Sequence, residues 1–168
     1  MDIVHIIDII GETGPYIITI MSVILLIFKT AYLKIFLLGG LLNVALNVIL
    51  KLYLKNPRPS DDKKALEIGI SNGRIFSFDK YGMPSGHAQM MLYAAIYILL
   101  VYNSPILTIT YFVITINTLF RMLNYNNTLF QLGVGAGVGT IVGYISYSIS
   151  KYWITGDISP KPDEKAPK

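Results

Sequence analysis

An all-α membrane bundle, with about five transmembrane helices and a short interfacial helix in front of them, follows from three features of the sequence. The composition is 53% hydrophobic and only 14% charged, with a mean hydropathy of +0.54, which is too apolar for an ordinary soluble domain and makes the lipid bilayer the chain's solvent. The apolar residues fall into runs that approach the ~20 residues needed to cross a bilayer core. Between Lys80 and Lys151 the only formally charged residue is Arg121.

The elements follow in order. Residues 2–11 place Ile3, Val4, Ile6, Ile7, Ile9 and Ile10 among Asp2, His5 and Asp8, a period suited to a helix lying at the membrane interface, which Gly11 to Pro15 should end. Asp2, Asp8 and Glu12 precede the first long apolar run and no basic segment does, so a cleavable signal peptide is not expected. Spans are predicted at about 15–29, 33–54, 86–102, 105–122 and 129–149. One long hydrophilic connection runs from Lys55 to Lys80. These segments make one membrane-embedded domain, residues 1–154, and the Pro, Lys and acid content of 155–168 is that of a disordered polar tail. Gly133, Gly135, Gly137 and Gly139 stand on the fifth span, where small residues four apart let helices approach closely in lipid. There is no Cys, which excludes a disulfide framework and a thiolate nucleophile or ligand. The net charge of +4 resides in loops and tail with no basic stripe interleaved with aromatics, so nucleic acid is not an expected partner.

Alternating spans bring three distant regions to one membrane side. The second span ends there with Lys51, Lys55 and Arg58, the third begins there with His87, and the fourth returns Arg121 to it. A guanidinium in a span costs about 2.5–3.5 kcal/mol at the bilayer centre, so Arg121 is either a snorkelling structural residue or part of an anion site. Lys51 and Arg58 are seven residues apart, two helical turns, and can grip an anion as a point charge and a planar fork. In MPSGH the turn residues let Ser85 Oγ and the N–H groups of Ser85, Gly86 and His87 point at the same anion, with His87 placed to protonate a leaving oxygen.

Lys51, Arg58-Pro59 and Pro84-Ser85-Gly86-His87, in that order, resemble the signature of the type 2 phosphatidic acid phosphatase superfamily, membrane relatives of the vanadium haloperoxidases. FLLGGLLNVALNVILKLYLKNPRP, KYGMPSGHAQMM and Gln131 are similar to the dolichyl-diphosphatase branch, which usually has a second Ser at the Gly86 position. The resemblance covers roughly residues 33 to 145. It implies phosphate held by Lys51, Arg58, Ser85, Gly86 and Arg121, with His87 as general acid and Gln131 orienting position 127. The chain departs from the pattern in having Asn127 where the resemblance implies a nucleophilic histidine, and Phe120 where it implies a Ser before the Arg. An amide can position but cannot take over covalent attack, leaving water as the attacking group.

The resemblance implies a lipid phosphate or isoprenoid diphosphate such as dolichyl diphosphate as substrate, surrounding membrane lipids as partners, and an endoplasmic reticulum-type membrane with the site facing the lumen or exterior. Lys29, Lys34 and Lys151 on the opposite side favour that side as cytoplasmic. No metal or other cofactor is expected, because three cations surround the site and spans two to five hold no carboxylate. Two other readings stay open: a catalytically inactive lipid-phosphate-binding or scaffold protein, and a small channel or transporter subunit suggested by the glycine-rich span.

Overall fold

The computed structural model describes residues 3–59, 80–125 and 127–155. Their architecture is the expected all-α membrane bundle, built of α1 (Ile3–Leu26), α2 (Thr30–Leu54), α3 (Gly86–Tyr102), α4 (Pro105–Tyr125) and α5 (Leu129–Thr155). Four of these, α1, α2, α4 and α5, are long and apolar enough to cross a membrane, and α3 is a shorter apolar helix. The polar connection 60–79 and the tail from Gly156 lie outside the described residues.

One boundary is corrected. Gly11 to Pro15 do not end a separate helix, and the interfacial segment and first span form a single element, α1, with Pro15 inside it. Pro15 removes one i→i−4 bond, a loss that packing against α4 outweighs. Gly14 approaches so closely that a Cβ there would lie 1.9 Å from Thr118 Oγ1, and Ser22 Oγ meets the buried Tyr111 hydroxyl at 2.9 Å.

The other helix ends follow local rules. Lys55 and Asn103 take left-handed conformations (φ 48° and 44°) that close α2 and α3, their N–H groups bonding Lys51 O and Leu99 O at 3.0 and 2.9 Å. Pro57 and Pro59 then forbid continuation of α2, and Pro105 opens α4 at a position where its missing N–H costs nothing. Thr128 and Gln131 start α5 as a reciprocal cap: Gln131 N–H donates to Thr128 Oγ1 at 3.2 Å, and Thr128 N–H donates to Gln131 Oε1 at 3.1 Å.

The short α3 is the axis of the bundle, in contact with every other helix. Its Ala88, Met91, Tyr93, Ala94, Tyr97 and Ile98 are fully buried. The phenols among them find backbone partners: Tyr93 donates to Phe36 O at 2.5 Å and Tyr97 to Tyr32 O at 2.7 Å. The most extensive pairing is with α5, through glycine. A Cβ at Gly135 would stand 2.4 Å from Ser85 O, one at Gly139 2.0 Å from Gln89 O, and one at Gly143 2.7 Å from Tyr93 O. Two of the four expected packing glycines, 135 and 139, therefore serve this purpose, extended by Gly143, whereas Gly133 and Gly137 have nothing within 4 Å of a Cβ.

The buried side of α2 is a single stripe of Tyr32, Phe36, Gly39, Asn43, Asn47 and Lys51. It turns from aromatic to polar as it approaches one end of the bundle. Intramembrane polar residues are expensive unless they face the interior and find partners, and these do. Gln89 Nε2 donates to Asn43 O and Oδ1 at 2.7 and 2.9 Å, while Asn47 Nδ2 donates to Gln89 Oε1 at 2.8 Å and to Pro84 O at 3.2 Å. This amide ladder ties α2 to the turn that precedes α3.

Candidate functional site

The polar end of the stripe opens onto a site assembled from all five helices. Two short chain segments form its wall. Asn56–Arg58 leaves α2 and Tyr81–Ser85 enters α3, and they are pinned side by side by a bridge between Pro57 and Tyr81 and by Gly82 N–H donating to Asn56 O at 2.8 Å. Ser85 closes the turn as the N-cap of α3, its hydroxyl accepting from Ala88 N–H at 3.5 Å. Gly86 and His87 thereby become the first helical residues, whose N–H groups have no carbonyl partner within the helix. The bond between Met83 and Pro84 is cis.

Asn127 and Gln131 are buried in this wall at the start of α5. Asn127 Nδ2 donates to Gly82 O at 2.9 Å and to Gln131 Oε1 at 3.1 Å, and Gln131 Nε2 donates to Pro57 O at 2.8 Å. The Gln131 amide lies so close to Gly82 that a Cβ there would sit 2.4 Å from Oε1 and would push the amide out of its hydrogen bonds. Asn127 Oδ1 faces the opposite way and accepts from both Arg58 Nη1 and Ser85 Oγ at 3.4 Å.

The cations converge on the same place. Lys51 is buried at the last turn of α2, and the charges of Arg58, Arg121 and Lys51 all fall within electrostatic reach of the His87 imidazole. Lys55 is exposed at the helix end. Arg121, from the last turns of α4, reaches α1, pairing through Nη2 with Glu12 Oε2 at 3.1 Å, and His87 Nε2 stands 3.2 Å from Glu12 O. Lys51, Arg58, Ser85, Gly86, His87, Arg121, Asn127 and Gln131 are therefore gathered at one end of the bundle. The opposite end holds Lys29, whose ammonium lies 5.8 and 5.4 Å from the ring centroids of Tyr32 and Tyr102.

Chemically, this is a cluster of hydrogen-bond donors and fixed positive charge at one end of the bundle. Guanidinium forks, a lysine, a serine hydroxyl and two helix-start amides suit an oxyanion with several oxygens. Among the described residues, no group of three or more His, Cys, Asp or Glu that could hold a metal ion occurs. Beside the site, α4 and α5 diverge around a carbon-lined groove of about 340 Å³ whose walls include Leu119, Leu123, Leu129 and Leu132. Leu132 and Met122 pack on Ala88 under the site, so groove and pocket share a partition.

Sequence reasoning missed several members of this site. Glu12 falls in the Gly11–Pro15 stretch expected to end the interfacial helix, and Gly82, Asn56, Asn47 and Gln89 have no role in the sequence reading. Two signals were available. Asn43, Asn47 and Lys51 repeat every four residues through an apolar span, and TLFQ, residues 128–131, has the spacing of a reciprocal helix cap.

The family model of the PAP2 superfamily matches residues 18–155, most of the chain and all five helices in whole or in part. No curated protein and no solved structure matches it.

Proposed function

The chain belongs to the PAP2 superfamily, and from that premise we propose that its polar end binds and slowly hydrolyses the phosphate head of an isoprenoid diphosphate such as dolichyl diphosphate. Membership alone implies phosphatase-like function toward lipid phosphates in a multi-pass membrane protein. The observation that carries the finer reading is the convergence of Arg58, Arg121 and Lys51 on His87, around Ser85 and Asn127. In this reading the three cations neutralise the head, Ser85 and the Gly86 and His87 amides bind its oxygens, and His87 protonates the leaving oxygen. Phosphoryl transfer depends chiefly on positioning and charge stabilisation, so such a pocket supports attack by water. The carbon-lined groove between α4 and α5 supports a hydrocarbon chain beside the head.

The dolichyl-like branch rests on the quoted sequence segments and is compatible with the Gly86 site. A Cβ there would meet Asn47 Oδ1 at 3.4 Å, an ordinary contact for the Cβ of the serine usual in that branch. The lysines at the opposite end, Lys29, Lys34 and Lys151, favour that end as cytoplasmic and the site as lumenal or external.

One observation favours a second reading, a pseudophosphatase that binds lipid phosphate without turnover. Asn127 occupies the position assigned to the nucleophile by resemblance, and its amide is engaged on both sides by Gly82, Gln131, Arg58 and Ser85. The two readings separate in a phosphate-release assay on detergent-purified protein with an isoprenoid diphosphate. Slow release by the wild type that drops roughly a hundred-fold in Arg121→Ala supports hydrolysis at this site. Saturable binding with no release supports the pseudophosphatase. Release at an equal rate in Arg121→Ala belongs to a contaminant and removes the hydrolysis reading.

A further inference from the structure

Resting on the reading of this end as a phosphate site, we propose that Glu12 is an internal competitor for the head. Its carboxylate and its own carbonyl take the positions on Arg121 and His87 that phosphate oxygens would take, and a phosphate ligand binds by displacing them.

Among the side chains described, Glu12 is the only carboxylate, and it stands at the one cluster of cations that includes a histidine. Its Oε2 lies 3.1 Å from Arg121 Nη2, and its backbone O lies 3.2 Å from His87 Nε2. One residue thus engages the group assigned to grip the head and the group assigned to protonate the leaving oxygen. Its side chain is 64% exposed, so burial does not explain its place beside Arg121.

The local sequence GETG, residues 11–14, accounts for the delivery. A Cβ at Gly11 would stand 2.8 Å from Arg121 Cδ, and one at Gly14 1.9 Å from Thr118 Oγ1. Two glycines three residues apart face α4 and let the α1 backbone settle against it, which carries Glu12 to the Arg121 fork.

A carboxylate here invites comparison with the nucleophile missing at position 127, but the geometry opposes that role. Glu12 lies on the His87 side, where the leaving oxygen would depart, whereas an attacking group must stand in line on the far side of phosphorus. The contact is suited instead to exchange. An exposed ion pair is weak and screened, while a phosphate offers several oxygens to the same fork and to Arg58 and Lys51 at once.

The test is calorimetric titration of the detergent-purified full chain with inorganic diphosphate, for wild type, Glu12→Gln and Glu12→Asp, at low and high salt. Glu12→Gln is expected to bind about fivefold tighter at low salt, with Glu12→Asp between it and the wild type, and the gain should shrink as salt rises. In an Arg121→Ala background Glu12→Gln should give no gain, because the contact it relieves is already gone. Equal or weaker binding by Glu12→Gln overturns the proposal while leaving the phosphate site standing. Absence of binding in wild type and Glu12→Gln alike overturns the proposal together with the phosphate-site reading.

Discussion

Asn127→His is expected to raise phosphate release from an isoprenoid diphosphate by at least about a hundred-fold, because loss of a nucleophile in a covalent hydrolase costs on the order of a million-fold while the remaining pocket retains ~1,000-fold over water. The surroundings of Asn127 are suited to the exchange. Its Nδ2 donates to Gly82 O and Gln131 Oε1, and the single Nδ1–H of a histidine in that position could keep one of these two bonds. That tautomer leaves Nε2 with its lone pair extended beyond the wall, where attack on phosphorus needs it. The ring carbon replacing Oδ1 would also remove the internal acceptor now shared by Arg58 and Ser85. Release at the wild-type rate by a variant with wild-type thermal stability would show that position 127 does not face the reacting phosphorus.

The second large effect falls on folding. Gly139→Ala would push a methyl to 2.0 Å from Gln89 O and 2.8 Å from its carbonyl carbon, and because these are backbone atoms no side-chain rotation relieves the clash. Relief requires α5 to withdraw from α3, which carries Ser85, His87 and the Gln89 amide ladder. We expect a loss of about 3 kcal/mol or more, beyond the usual range for overpacking, read as a lowered unfolding temperature in detergent. Gly137→Ala, with nothing within 4 Å of its Cβ, is the internal control and should unfold with the wild type. Similar stability for the two variants would mean that the α3–α5 contact is looser than described.

These two predictions draw on different degrees of legibility in the sequence. The helices themselves could be read, because a bilayer leaves few alternatives for long apolar runs and punctuation by Pro, Asn and polar residues marks their ends. The gathering of Lys51, Arg58, His87 and Arg121 could be read as well, since it needs only the parity of the spans. What escaped reading depends on tertiary packing. Pro15 looked like a helix end because propensity is local, yet α4 holds α1 continuous across it through Gly14 and Ser22. Glu12 reads as part of a helix end because nothing in its neighbourhood of sequence points to Arg121, more than a hundred residues away. Which glycines of GVGAGVG face a helix and which face open space depends on rotation about α5, which four small residues at alternate positions do not specify.

The central claim is that residues far apart along the chain hold one phosphate head at one membrane boundary. It is tested most directly by calorimetric titration of purified protein with inorganic diphosphate, comparing wild type with Arg58→Ala and Arg121→Ala. The account predicts saturable, salt-sensitive binding by the wild type and at least about tenfold weaker binding in each variant. Wild-type affinity in either variant, or no saturable binding by the wild type, would contradict it.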